Sequence, residues 1–347
     1  MSTVDVVVPC YNYARYLRGC VNSILSQSDV DVRVLIIDDD SSDETAEVGR
    51  ELADRNPSVV FRRHESNKGH IATYNEGLLG WSSGDYTVLL SADDLLAPGA
   101  LSRAVKVMDF DKSVGMVYGS TVHFEREEEL PDLDVRKLSY TRWSGKEWLE
   151  GRCRSGHNVI TSPEVVVRGS IQRAVGGYRA ELPHAGDLEM WLRIAAVSDV
   201  AYIEHVPQAF YRVHSSSMMR TVYRGNVIDL QQRKAVFDAF FASHHTLIAD
   251  AERLHAEANR SLAREALWDA CRAYDRDEVE SAHAGELEEF ALSTCAEARS
   301  LAEYAALHRR RRLGPRVCNR TQIFAAPALL RSIRRWSLKQ RWKKHGV

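Results

Sequence analysis

Through the first 120 residues two hydrophobic patterns take turns: short apolar runs, and apolar residues spaced three or four apart. Residues 4–9 (VDVVVP) form the kind of run a buried strand needs, and Leu17, Cys20, Val21 and Ile24 then recur at helical spacing. Residues 32–37 (VRVLII) predict the next strand. A helix is expected over 43–55, where Ser41 and Glu44 have the spacing of a capping box. A shorter strand at 59–62, a helix at 69–81, a strand at 86–91 (YTVLLS), a helix opened by Pro98 in its first turn and a strand at 114–118 continue the series. Strands alternating with helices are the mark of βαβ units, so the expected fold is α/β with a doubly wound, mostly parallel sheet.

Between 124 and 154 the pattern breaks into charge (EREEELPDLD) with Trp143 and Trp148, and a loop carrying a short helix is expected. Regular signals resume with an extended segment at 163–168, a helix near 187–197 and extended segments at 200–205 and 208–214. Beyond residue 223 strand patterns vanish. Val227, Leu230, Val236, Phe237 and Phe240, then Leu254, Ala258, Leu262 and Ala266, recur at helical spacing. The division expected is an α/β domain over 1–220 and an all-helical region over 221–347.

A chain of 347 residues, 44% of them hydrophobic, has the length for two domains and ample material for a core. Its 46 Lys and Arg against 48 Asp and Glu give a net charge of −2, which argues against a nucleic-acid partner. That balance averages two unlike parts. Residues 304–347 hold 13 Lys and Arg and no carboxylate, leaving 33 basic against 48 acidic residues in 1–303, a body of −15. The six cysteines (Cys10, Cys20, Cys153, Cys271, Cys295, Cys318) are scattered with no zinc spacing, and a reduced, cytoplasmic chain with buried thiols is expected. Neither a signal peptide nor an apolar run of membrane-spanning length is visible.

Chemistry gathers where two strands end. The run VRVLII leads into Asp38, Asp39 and Asp40, and YTVLLS leads into Ala92, Asp93 and Asp94. In open parallel sheets ligands bind outside the carboxyl ends of strands, so neighbouring strands would crowd up to five carboxylates at one edge. A divalent cation relieves that repulsion, and oxygen ligands favour Mg²⁺ or Mn²⁺ over zinc. Either cluster alone reads equally as a helix-capping device. No GxxxxGK[ST] and no GxGxxG follows a strand, so a phosphate would have to be held mainly by metal.

In order along the chain stand VDVVVPCYNYARYL (4–17), SILSQ (23–27), LIIDDDSSDET (35–45), NKGHIATYNEGL (67–78), GDYTVLLSADDLLAPGAL (84–101), VGGY (175–178), GDLEMWLR (186–193) and FYRVH (210–214). Together they resemble the inverting GT-A glycosyltransferases of glycosyltransferase family 2. The resemblance implies a metal-dependent enzyme that moves a sugar from a nucleoside-diphosphate sugar to an acceptor hydroxyl. Asp94 would ligate the cation and Asp93 would approach the donor ribose or the metal's surroundings. Asp39 would accept the imide N–H of a uracil-type base. Pro9, Cys10, Tyr11 and Asn12 would form the first nucleotide-binding turn, and Asn67, Lys68 and Asn75 would line the donor pocket. Asp187 takes the place of the catalytic base, although Gly186 precedes it where many members have glutamate, and Glu189 two residues on is a poor substitute on a helix. His214 becomes a candidate further metal ligand, and His184 a candidate contact to acceptor or base. Trp191 reads as core packing.

Two other readings stand beside this one. A sugar-1-phosphate nucleotidyltransferase shares a related core, but would carry a Gly-rich basic loop where PCYNYARYL stands. A non-catalytic scaffold on a transferase fold would not need Asp39, Asp94 and Asp187 in three separate segments. In the basic stretch, Leu329, Leu330, Ile333 and Trp336 accompany Arg331, Arg334, Arg335, Lys339, Arg341, Lys343 and Lys344. That segment fits an anionic membrane at the inner face, or docking on the acidic body or a second subunit. Donor sugar and acceptor are not readable, and polysaccharide, lipid-linked and small-molecule acceptors stay open.

Overall fold

The computed structural model describes residues 1–133, 138–214 and 226–346. The chain divides into two compact units. The first comprises Met1–Trp148, Val159–His214 and residues 343–346; the second comprises Leu149–Asn158 and the helical residues through Trp342. The expected boundary near residue 220 lies outside the described residues.

The first unit is built on one sheet. Its strands are β1 (Thr3–Cys10), β2 (Asp31–Asp38), β3 (Val59–Arg63), β4 (Tyr86–Leu89), β5 (Leu95–Leu96), β6 (Val114–Phe124), β7 (Tyr140–Trp143), β8 (Val166–Arg168) and β9 (Asp199–Arg212), in the order β3-β2-β1-β4-β8-β6-β9-β5, with β7 also on β9. Strands β3, β2, β1 and β4 run parallel, as do β6 and β9. Strand β8 joins the two halves antiparallel to both neighbours. Helices α1 (Ala14–Leu25), α2 (Thr45–Arg55), α3 (His70–Gly80) and α4 (Ala100–Phe110) connect the first strands; α5 (Gly145–Ser155), α6 (Gly169–Val175) and α7 (Gly186–Val197) follow.

Val7 on β1 pairs with Leu35 on one side and Leu89 on the other. The two aspartate-bearing strand ends therefore flank β1 at one edge of the sheet. Val4, Val6, Val8, Val34, Ile36 and Val88 are buried in a core shared with Leu17, Cys20, Val21 and Ile24 of α1, which is why both hydrophobic patterns were visible. Pro98 stands two residues before α4 rather than in its first turn. The capping box of α2 does not form. Ser41 Oγ accepts the Asn12 N–H (2.9 Å), the helix begins at Thr45, and Asp43 serves both helix starts by accepting the N–H of Thr45 (3.0 Å) and of Ala14 (3.0 Å). The two extended segments expected at 200–205 and 208–214 are one strand, β9, with irregular register against β6, and the charged break at 124–154 holds β7 as well as α5.

Gly77 shows how tightly α3 sits on the sheet. A Cβ there would lie 2.2 Å from Val7 Cγ1, and Val7 is wholly buried in a central strand and cannot yield. Alanine gains about 1 kcal/mol of helix propensity, against roughly 1–3 kcal/mol for overpacking. Gly77→Ala should therefore be neutral to destabilising by up to about 2 kcal/mol in urea denaturation, and a gain in stability would contradict this packing.

The second unit is all helical among the described residues: α8 (Asn226–His244), α9 (Ala251–Arg276), α10 (Ala284–Thr294), α11 (Ala302–Leu313), α12 (Pro315–Thr321) and α13 (Ala325–His345). Leu254, Ala258, Leu262 and Ala266 form the buried stripe of α9, against which α8, α10, α11 and α12 pack. Charge is internalised here too. Arg233 meets Asp229, Glu265 and the carbonyl of Gly156; Arg310, 2% exposed, makes a two-pronged bridge to Asp275 (2.8 and 3.0 Å) under the ring of Phe324. Part of the basic stretch is thus structural rather than solvated.

Candidate active site

The turn after β2 does not expose three equivalent carboxylates. Asp38 is fully buried and accepts the Ser41 N–H (2.9 Å), while Asp40, at φ 62°, pairs with Arg63 (3.2 Å). Asp39 is the one turned to the segment before α3. Its Oδ1 accepts from Lys68 N–H (2.8 Å) and lies 2.7 Å from His64 Nδ1, and its Oδ2 accepts from Gly69 N–H (2.9 Å). Burial raises its proton affinity, but the Lys68 N–H, His64 and the Gly69 N–H outweigh it and hold the carboxyl below the usual range. A carboxylate has about four lone-pair sites, and these contacts leave one on Oδ2. His64 itself spans Asp39 and Glu76 (Nε2–Oε2 3.0 Å), and Glu76 is also met by the ammonium of Lys68 (3.0 Å). Nothing in the sequence singled out His64, because it stands outside any metal or catalytic spacing.

Beyond β4, Asp93 and Asp94 are both buried and meet the end of β9. The backbone N–H of Arg212 donates to Asp94 Oδ1 (2.8 Å), its Nε to the carbonyl of Asp93 (2.8 Å), and its guanidinium lies over the rings of Tyr16 and Phe124 (4.5 and 4.4 Å). His214 Nε2 lies 2.9 Å from Asp93 Oδ2. Burial first, then the charge of Asp93, holds the Asp94 carboxyl well above the ordinary value. Up to five crowded carboxylates are thus reduced to two at this end, with Asp39 held separately on the other side of β1. Among the described residues no three His, Cys, Asp or Glu side chains form a ready-made metal cage. Arg212 was within reach of the sequence, inside FYRVH, but carried no assignment.

Asp187 opens α7 and belongs to a different constellation. Ser162 Oγ donates to Asp187 Oδ2 from a residue at φ 97°, a conformation rare outside glycine, and the Tyr178 hydroxyl donates to the same carboxyl. Burial raises the proton affinity of Asp187, and it stays above the usual aspartate value despite Ser162, Tyr178 and the nearby His70 and His184, which oppose the rise. Tyr178 is held from behind. Both amide ends of Asn75 are taken by its backbone (Nδ2 to O 2.8 Å, N to Oδ1 2.7 Å), so Asn75, expected to line the donor pocket, instead fixes the tyrosine facing Asp187. Glu189 is wholly buried between Arg193 (2.9 Å) and Arg179 (2.8 Å), and Arg193 also donates to the carbonyls of Val175 and Gly177. VGGY and GDLEMWLR thus act together to hold Tyr178 and Asp187. Trp191 is buried as core, its indole nitrogen without a protein partner, and it lines a small cavity together with Ser162, Tyr178 and Gln172.

Glu164 was missed. It is 3% exposed; its Oε1 accepts the Thr161 N–H (2.7 Å) and its Oε2 has no protein partner. Burial, with a smaller contribution from the charge of Asp187, pushes its carboxyl up to about 8. In the unfolded chain a glutamate ionises near 4.5. Between these values folding must take up a proton, so the wild type loses stability from pH 4.5 upward and the loss levels off above 8. Glu164→Gln should be more stable than wild type by ~3 kcal/mol at pH 7, with the advantage fading toward pH 4.5. A difference that did not vary with pH in denaturant melts would refute the buried neutral acid.

Apart from Lys68, which precedes α3, the remaining expected residues fall at the end of β1 and in the turn after it. Pro9 and Cys10 end β1, and the carbonyl of Cys10 accepts the Asp39 N–H (2.9 Å). The Cys10 thiol is buried beside Thr45 and pushed by burial up to about 12. Tyr11 is half exposed, its ring open to a ligand. Asn12, at φ 59°, is bonded through its side chain to Ser42. Lys68 contributes its backbone N–H to Asp39.

The mostly parallel sheet, with its two acidic strand ends and a half-buried aspartate on a following helix, has the architecture of the GT-A fold. Solved structures agree. The chain superposes on TarS of Staphylococcus aureus with a TM-score of 0.59 at 13% identity, over 87% of this chain and 55% of that one. It superposes on TarS residues 1–349, determined in complex with UDP-GlcNAc, with a TM-score of 0.56 at 13% identity over 86% and 92%. Residues 5–166, just under half of the chain, match the profile of glycosyl transferase family 2. Among curated relatives, a glycosyltransferase of Nostoc sp. is 32% identical over 115 residues, 33% of this chain and 35% of the relative. Chondroitin synthase of Pasteurella multocida is 36% identical over 210 residues, 58% of this chain. The matched region spans about a third of the first relative's length and a fifth of the second's.

Proposed function

We propose that this glycosyltransferase is metal-dependent and inverting, and moves a sugar from a UDP- or dTDP-sugar to an acceptor hydroxyl. The observation that carries the reading is that Asp187, held by Ser162 and Tyr178 with its proton affinity raised, comes from α7 and not from the ends of β2 and β4 that carry the other carboxylates. One carboxylate is left to take a proton while the others serve the donor.

The last acceptor site of Asp39 suits the imide N–H of uracil or thymine, with the ring of Tyr11 at the same edge. Asp94, with Asp93 and His214 beside it, would hold Mg²⁺ or Mn²⁺. A cation bound there supplies Lewis-acid neutralisation of the departing diphosphate. Asp187 accepts the acceptor's proton as the new bond forms; its raised affinity makes it a better base than an exposed aspartate, and Ser162 and Tyr178 fix its direction. Inversion follows because one displacement needs no carboxylate nucleophile. Relatives named chondroitin synthase and hyaluronan synthase support a growing polysaccharide as acceptor.

The test is to incubate the chain with Mn²⁺, a panel of nucleotide sugars and oligosaccharide acceptors, and to identify the phosphorus-containing product. Nucleoside diphosphate is expected. Pyrophosphate exchange with a nucleoside triphosphate and a sugar 1-phosphate, in its place, would overturn the reading in favour of nucleotidyl transfer.

A further inference from the structure

Six of the fourteen large apolar side chains exposed among the described residues lie within 313–336: Leu313, Val317, Ile323, Leu329, Ile333 and Trp336. On α13, Leu329, Ile333 and Trp336 stand at i, i+4 and i+7, one face of a helix, and are 62%, 52% and 64% exposed. The same stretch from residue 304 has no carboxylate. Its cations divide in two. Arg310 and Arg311 pair with Asp275 and Glu288, and Arg331 lies over the ring of Trp268 (3.9 Å). Arg309, Arg312, Arg316, Arg320 and Arg341 are exposed and have no carboxylate partner among the described residues. The side chains of Arg334, Arg335, Lys339, Lys343 and Lys344 lie outside the described residues and add to the charge through the sequence alone.

An apolar stripe facing water amid uncompensated positive charge calls for a partner that is apolar within and anionic without. We propose that α13 and the residues leading into it lie on an anionic lipid surface. Leu329, Ile333 and Trp336 enter the boundary between headgroups and acyl chains, and the flanking arginines and lysines meet lipid phosphates. Tryptophan suits that boundary, having an apolar body and a polar N–H. A second copy is the poorer occupant, because a two-fold contact through this face would set the same uncompensated cations opposite one another. Among the described residues no helix is long and apolar enough to cross a membrane.

The experiment is flotation of the full chain with vesicles of phosphatidylcholine, alone or with about 30 mol% phosphatidylglycerol, at low and high salt. Binding is expected only with phosphatidylglycerol, and salt should weaken it. The triple variant Leu329→Ser, Ile333→Ser, Trp336→Ser should lose at least about tenfold in partitioning while keeping the wild-type melting temperature, since all three side chains face water. Equal flotation of variant and wild type, binding to phosphatidylcholine alone, or no flotation would overturn the proposal. So would a wild-type dimer in sedimentation velocity that the variant disperses without any lipid binding, which would assign the face to a second copy.

Discussion

Asp187→Asn should bind nucleotide sugar as the wild type does and lose at least ~10²-fold in turnover. The two parts of that expectation have separate physical grounds. Asparagine keeps the volume and can still accept from Ser162 and Tyr178, so the loop that holds the residue should stay in place. What it lacks is a site for the acceptor's proton, and a positioned general base contributes about 10²- to 10⁴-fold. Because burial raises the proton affinity of Asp187, the acidic limb of the wild-type pH–rate profile should lie above the ordinary aspartate value of 3.8, activity falling as pH drops through it. Turnover of Asp187→Asn within a few-fold of wild type would remove Asp187 as the base. Loss of donor affinity in parallel with turnover would make it a structural residue.

The second large effect is expected at the other end of the site. Asp94→Ala should abolish the Mn²⁺-dependent part of donor binding. Ligand that binds only the folded state stabilises it by about 2.7 kcal/mol at a hundredfold excess over Kd, so UDP with Mn²⁺ should raise the wild-type melting temperature, and the rise should be lost in the variant. A chelator should do the same to the wild type. Asp94→Ala removes the repulsion with Asp93 but also leaves the buried Arg212 N–H without its acceptor, so the melting temperature without ligand, compared with wild type, is the control for misfolding. An undiminished Mn²⁺-dependent shift in Asp94→Ala would place the cation elsewhere.

What could be read from the chain follows from which interactions are local. VDVVVP and VRVLII announced β1 and β2 because strands covered on both faces must be apolar throughout, and α1 announced itself by its buried stripe. Asp39, Asp94 and Asp187 were visible as a pattern of acidic strand ends together with a resemblance along ordered motifs. Roles set by distant partners were not. Asn75 looks like a pocket residue until the backbone of Tyr178, 103 positions away, takes both its amide ends. Glu164 looks like a surface glutamate, and Arg310 like one of a solvated run, until packing buries the first without a second partner and the second against Asp275. The capping box at Ser41 failed for the same reason: Asn12, from a different turn, claims the hydroxyl. His64 gave no signal, because a lone histidine at a strand end acquires meaning only when Asp39 and Glu76 converge on it.

The central claim is that acidic strand ends on either side of β1, together with a divalent cation, make a nucleoside-diphosphate site. Calorimetric titration of UDP into the full chain, with and without Mn²⁺, tests it without knowledge of sugar or acceptor. The account predicts saturable one-to-one binding that requires Mn²⁺ and is weakened by Asp39→Ala. Absence of binding under both conditions, or an affinity unchanged by chelation and by loss of Asp39, would contradict it.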